Sequence, residues 1–267
     1  NILGVNITNA TKKETLEYII KGLENYPKKY YVVTPNPEFL VIANKNPRFK
    51  NILNNAELAL PDGIGVIVAG KILGKALKQR VTGTELLESL CKEVAEKPIT
   101  VGFLGGGPGV ADKTAECLVS RYPGLKVGFV GSEWDKEGFD CNVYNSKFII
   151  QNSKSQFKIK NLEPKTQVQR PKTIDILFVA FGAPKQEIWI SENLQNLPVK
   201  IAIGVGGAFD YISGRVPRPP VWIRNLGFEW LYRLIRQPWR FKRQLALIEF
   251  VFLVLKEKIG SKNRLIQ

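Results

Sequence analysis

Residues 174–187 read IDILFVAFGAPKQE. An apolar, β-branched run that stops at Gly182 and Pro184 reads as a strand followed by a tight turn. Four further runs have the same form: 30–33 (YYVV), 99–104 (ITVGFL), 126–130 (KVGFV) and 200–204 (KIAIG). Amphipathic segments at 84–96 and 109–122 lie between them. In the second, Val110, Ala111, Ala115, Leu118 and Val119 share one helical face. Strands alternating with helices predict an α/β fold, a parallel sheet with helices on both faces. In such sheets ligands bind beyond the carboxyl ends of the strands. The loops to watch are therefore GGGPG (105–109), VGSEWD (130–135), FGAPKQE (181–187) and GVGGAFD (204–210).

The chain has 267 residues, enough for one large α/β domain or two small ones. Its formal net charge is +15, which implies an anionic partner such as nucleic acid, a phosphorylated substrate or an acidic membrane. It contains no histidine. That excludes Ser-His-Asp and Cys-His catalysis and HExxH zinc sites, and leaves acid–base work to Asp, Glu, Lys, Tyr or Cys. Cys91, Cys117 and Cys141 are odd in number and form no CxxC, which argues against a disulfide framework or zinc knuckle and suits a reducing cytosol. No signal-peptide pattern is visible. No run of 18 uncharged apolar residues occurs, so no transmembrane helix is expected.

Two stretches differ in texture. Residues 136–172 are polar and rich in Lys, Asn, Gln and Ser, and read as an insertion. Residues 224–267 carry ten Lys/Arg against three Glu, close to half the net charge. Arg233, Arg236, Arg240 and Arg243 recur at helical spacing, with Pro238 kinking or splitting the helix. Trp222, Trp230, Tyr232 and Trp239 are interleaved, and an apolar run follows at 245–255. As a helix that run spans roughly 16 Å, short of a bilayer of about 30 Å. Two readings fit: a segment lying on an anionic membrane surface, or a helix docked on the core with a solvated basic face.

The motifs carry alternatives too. Gly105, Gly106 and Gly107 follow a strand and open a helix, a place where backbone N–H groups attract phosphate. The sixth position of a dinucleotide GxGxxG is Val110, so that fingerprint fails. Glu133 and Asp135, after Gly131 in the next loop, are placed where a ribose-binding acid sits. Asp62 in LPDGIGV, and Thr34 and Asn36 in TPNPEF, are either turn residues or site residues. Arg80 is either a surface arginine, the reading favoured for the residue by itself, or one that clamps a phosphate, and Thr82 and Thr84 are both helix-cap candidates. Gly182, Lys185 and Gln186 end one strand; Gly206, Gly207 and Asp210 end another. Lys185 and Gln186 can donate to phosphate or sugar, and Asp210 can accept from a ribose or base. Several such loops on one sheet edge make a nucleotide site.

Taken together, TPNPEF, LPDGIGV, RVTGTEL, GGGPG, DILFVAFGAPKQE, GVGGAFDYISG and the tail RVPRPP…FEWLYRLIRQPWRFKRQ resemble the WecG/TagA/CpsF glycosyltransferase family. The blocks stand in the family's order across nearly the whole chain; the polar insertion departs from it. The resemblance implies a Rossmann-like core (1–213) that binds a UDP-sugar without metal or other cofactor. It also implies a basic helical appendage (214–267) completing the site at the inner face of the plasma membrane. The acceptor would be an undecaprenyl-diphosphate-linked sugar. Some members transfer N-acetylmannosamine, with inversion, in a β-1,4 linkage; others transfer N-acetylmannosaminuronic acid. The resemblance also suggests a homo-oligomer.

By that resemblance Asp62 matches the general base, and Thr34 and Asn36 match groups lining the sugar pocket. Arg80 and Gln186 match further active-site positions, and Asp210 matches the nucleotide pocket. Arg233, Arg240 and Arg243 match arginines reaching the diphosphates. The inventory agrees: inverting transfer needs one base, and no DxD triplet is present. Two other classes fit less well. A nucleic-acid-binding protein fits the charge, but the charge is concentrated beside an apolar run, so no nucleic-acid partner is expected. A nicotinamide oxidoreductase fits the glycine turn, but lacks the sixth glycine.

Overall fold

Each expected strand forms, and a sixth joins them. The computed structural model describes residues 1–25, 28–132, 173–238 and 241–263. Its strands are β1 (Tyr30–Val33), β2 (Leu58–Ala59), β3 (Thr100–Gly105), β4 (Lys126–Gly131), β5 (Ile174–Ala180) and β6 (Val199–Gly204). They form one sheet in the order β2-β1-β6-β5-β3-β4, with every pairing parallel. The added strand, β2, pairs through only Leu58 and Ala59, too short for periodicity to announce it.

The helices are α1 (Lys12–Asn25), α2 (Pro37–Lys45), α3 (Pro47–Asn54), α4 (Ile64–Ile72), α5 (Gly83–Val94), α6 (Val110–Arg121), α7 (Lys185–Asn193), α8 (Ala208–Ile212), α9 (Val221–Asn225), α10 (Glu229–Arg236) and α11 (Phe241–Asn263). Local chemistry sets several starts. Asn36 caps α2 and Asn46 caps α3, each followed by proline at the first helical position. Thr82, not Thr84, caps α5 by accepting from the Glu85 N–H at 3.2 Å.

Both sheet faces are covered. In β5 the side chains alternate. Ile176 and Phe178 join a cluster with Leu86 and Leu90 of α5, Ala111 and Leu118 of α6, and Phe209 of α8. Leu177 and Val179 join Ile190 of α7 on the other side. A third cluster, around Val33, Phe39, Leu40 and Val66, is sealed by the C-terminal helix.

That helix shows the core-docked reading to hold for one of its faces. α11 packs on α2 and α4, and buries Phe250 and Val254 in the cluster with Phe39, Val66 and Ala69. Glu249 pairs with Lys45 at 2.7 Å, and Glu257 accepts from the Leu3 N–H at 2.9 Å. The helix is thus docked on the core, yet Leu245, Ile248, Phe252 and Ile259 remain exposed. α10 ends at Arg236 and α11 starts at Phe241, with Pro238 between them, so the basic stripe is split. Among the described residues no helix is long and apolar enough to cross a membrane. The insertion 136–172, and Glu133 and Asp135 before it, lie outside the described residues.

Candidate active site

A cleft of about 900 Å³ opens at the carboxyl edge of the sheet. All six strands send a loop to its wall: Thr34 and Asn36 after β1, Asp62 after β2, Gly106 and Gly107 after β3, Ser132 after β4, Gly182 and Gln186 after β5, and Gly206, Gly207 and Asp210 after β6. This is the edge where open parallel sheets bind ligands.

Asp62 is held by its neighbours' backbone. Its own N–H donates to Pro35 O at 2.9 Å, and the Val81 N–H donates to Pro61 O at 3.0 Å. The LPDG loop is thereby stitched between the TPNP loop and the RVTG loop. The Asp62 carboxylate Oδ2 accepts from the Gly83 N–H, the first residue of α5, at 3.3 Å. Burial pushes its pKa up to about 7, aided by the negative charges of Glu229 and Glu85; the Gly83 N–H and Arg80 oppose the rise. A carboxyl poised there is suited to accept a proton at neutral pH. Arg80 is itself engaged by the appendage: Nη1 lies 3.4 Å from Glu229 Oε2, and Nη2 donates to Arg224 O at 3.2 Å.

Gln186 works differently from the sequence expectation. It is buried, and its Oε1 accepts from the N–H groups of Gly182 and Gly206, both at 3.1 Å. Its amide Nε2 donates to Glu187 Oε1 at 2.6 Å. Gln186 therefore locks the β5 and β6 loops together through its oxygen, while one of its two amide hydrogens goes to Glu187. Glu187 is wholly buried, and among the described residues its second oxygen has no hydrogen-bond partner. Burial pushes its pKa up to about 7 as well. Beside this network Thr34 Oγ1 donates to Gly204 O at 3.2 Å, joining the ends of β1 and β6. The Asn36 carbonyl oxygen caps α2 by accepting from the Phe39 N–H.

The glycine loops after β3 and β6 meet α10 and the segment before it. Gly105 (φ +107°) has a backbone that L side chains rarely adopt, and a Cβ there would stand 2.8 Å from the Ala180 carbonyl carbon. Arg233 of α10 reaches across to pair with Asp210, and its guanidinium lies over the Tyr211 ring at 5.2 Å. It also occupies the space a Gly207 side chain would need. Arg215 Nη1 donates to Gly106 O at 3.1 Å and lies 3.9 Å from Asp210 Oδ1.

The structure thus brings Thr34, Asn36, Asp62, Arg80, Gly106, Gly107, Gly182, Gln186, Gly206, Gly207, Asp210 and Arg233 to one cleft. Gly105 and Gly131 end their strands short of its wall, and Lys185 is exposed away from it. Arg240 lies outside the described residues, and of Arg243 only the backbone in α11 is described. Arg215, Glu229 and Trp230 also line the cleft, and the sequence reading did not single them out as site residues. Their signal was position: each sits inside the tail blocks that followed the last strand. Among the described residues no three His, Cys, Asp or Glu side chains gather as a metal-binding group.

Comparison with known proteins identifies the family. A model of the "Glycosyl transferase WecG/TagA/CpsF family" matches residues 1–264. A protein of Bacillus spizizenii (strain ATCC 23059 / NRRL B-14472 / W23) is 32% identical over 234 residues, covering 88% of this chain and 82% of its own. One of Bacillus subtilis (strain 168) is 28% identical over 262 residues, covering 98% and 93%. One of Staphylococcus aureus (strain MRSA252) is 28% identical over 266 residues, covering 98% and 94%. All three are named N-acetylglucosaminyldiphosphoundecaprenol N-acetyl-beta-D-mannosaminyltransferase.

Proposed function

The chain belongs to the glycosyl transferase WecG/TagA/CpsF family, and from that premise we propose that it moves N-acetylmannosamine from UDP-ManNAc to GlcNAc-diphospho-undecaprenol. The observation that carries this reading is the single cleft in which a carboxyl poised near neutrality, Asp62, shares a wall with glycine loops and arginines.

Asp62 takes the proton from the acceptor hydroxyl as its oxygen bonds to the anomeric carbon. The bond from that carbon to the diphosphate oxygen breaks, and UDP leaves with the electron pair. Attack opposite the leaving group inverts the anomeric centre and gives the β linkage. Charge developing on the diphosphate is met by Arg233, Arg215 and the backbone N–H groups of Gly107 and Gly207. Thr34 and Asn36 line the sugar end. Arg80 steadies the Asp62 carboxylate and holds the appendage through Glu229. The appendage keeps the enzyme peripheral on the inner face of the plasma membrane; its exposed Trp222, Ile235, Ile248 and Phe252 support that orientation. The product is a lipid-linked disaccharide for a cell-surface polymer.

The test is incubation of the full chain with a GlcNAc-diphosphoprenyl acceptor and separate UDP-sugars in EDTA, read by mass. A gain of one N-acetylhexosamine from UDP-ManNAc supports the reading. A gain of one uronic acid from UDP-N-acetylmannosaminuronic acid replaces the donor. No product with any UDP-sugar, despite UDP binding, overturns it.

A further inference from the structure

The cleft is chemically divided. Its charged lining, including Asp62, Arg80, Asp210, Arg215 and Arg233, is set by the strand-end loops and α10. Its other end is formed by two apolar stripes at four-residue spacing. Ile64, Val68 and Ile72 run along α4, and Leu247, Val251 and Leu255 run along α11. Side chains four apart share a helical face. Ala69, Phe250 and Val254 also line this end and are buried in the core beneath it. Val68 is 45% exposed and Val251 56% exposed, although both border a cavity.

On the function proposed above, we propose that the groove between α4 and α11 binds the first isoprene units of the acceptor's lipid. The nucleotide and both sugars are polar, so the only substrate group that gains from these walls is the polyprenyl chain. The direction fits as well. α4 begins two residues after Asp62, so its stripe runs away from the base that activates the acceptor hydroxyl, the direction the lipid takes beyond the acceptor's sugar and diphosphate. The groove is continuous with the reaction cleft, which a general membrane contact on the outer faces of α9 to α11 does not require.

The test uses two water-soluble acceptors in the absence of bilayer or detergent: GlcNAc-diphosphate carried on a methyl group and on a geranylgeranyl group. The full chain is expected to favour the prenylated acceptor at least tenfold in kcat/KM. The paired substitution Val68→Ser/Val251→Ser should bring that ratio close to one, with UDP affinity, read by calorimetry, retained. A benzophenone-bearing geranylgeranyl diphosphate should label peptides of α4 and α11 in the parent protein. A ratio near one in the parent, a ratio that survives the paired substitution, or labelling confined to Trp222 and Ile235 on the outer face would overturn the groove. Absence of transfer to either acceptor overturns the proposed function instead, and the photolabel then decides the groove separately.

Discussion

The guanidinium of Arg233, carried on α10, lies against the backbone of Gly207 while it pairs with the carboxylate of Asp210. Gly207 has φ −80° and ψ 16°, a backbone that alanine adopts without strain. A Cβ there meets nothing closer than the Arg233 guanidinium. Gly207→Ala is therefore a way to unseat Arg233 without touching it. Steady-state kinetics should show donor KM rising about tenfold, the scale of one lost charge-assisted contact. Arg233→Ala should give a similar loss, and the double variant should be no worse than either. Additive losses would show that the two positions act separately.

On the proposed mechanism, Asp62→Asn removes the base and keeps the shape. General-base removal costs roughly 10²- to 10⁴-fold in kcat, with UDP binding retained in calorimetry. The base works only when ionised, so kcat/KM of the parent should climb with pH and level off above about 7. A flat profile between pH 5.5 and 8.5 would remove Asp62 from the proton transfer.

Glu187 tests the floor of the site. Its carboxyl orients Gln186, whose oxygen then faces two backbone N–H groups. Glu187→Gln still offers an acceptor and should keep most activity; Glu187→Ala lets the Gln186 amide turn and should lose it.

The same residue sets a pH dependence of stability. Both Glu187 and Asp62 have folded pKa values raised to about 7, so the folded protein holds these protons more tightly than the unfolded chain. Their stabilising contribution is complete below the ordinary carboxylate range and is lost as pH rises to about 7. Glu187→Gln should flatten that decline. Its Tm at pH 8 should exceed the parent's by a few degrees, at roughly 2–4 °C per kcal/mol for a chain of this size, and the gap should close at pH 5. An equal gap at both pH values would contradict a shifted Glu187.

Two phenylalanines on one helix should separate stability from surface binding. Phe250 is 3% exposed and Phe252 65% exposed. Phe250→Ala should cost about 3–5 kcal/mol in denaturant unfolding. Phe252→Ser should change stability by no more than about 0.5 kcal/mol, while weakening sedimentation with anionic vesicles. Unchanged vesicle binding would argue against α11 as a membrane contact.

Much of this fold was legible because a strand covered on both faces writes itself as an unbroken apolar run closed by glycine, as 174–180 does. β2 was not, since two residues carry no period. The loops that line the cleft were legible from their place after strands. What the side chains do there was not. Gln186 read as a donor to phosphate or sugar; spacing did not show that one amide hydrogen goes to Glu187 and its oxygen to Gly182 and to Gly206, twenty residues away. Asp210 and Arg233 read as separate ligand-facing groups, yet they pair across 23 residues of chain. Such pairings are set by how α10 returns over the sheet, which spacing does not encode.

The strand order carries a consequence for how the molecule is made. β1 lies between β2 and β6, and Thr34 at its end bonds to Gly204, 170 residues later. A growing chain completes β1 early but cannot give it its second neighbour until β6 emerges. Contacts of such long sequence separation slow folding, and until they close β1 presents an unpaired edge open to other chains. Thr34 and Gln186, with Gly206, acquire their partners in that same late closure. The strand-end wall of the cleft and the centre of the sheet are therefore finished in one event, and a chain stopped short of β6 has neither.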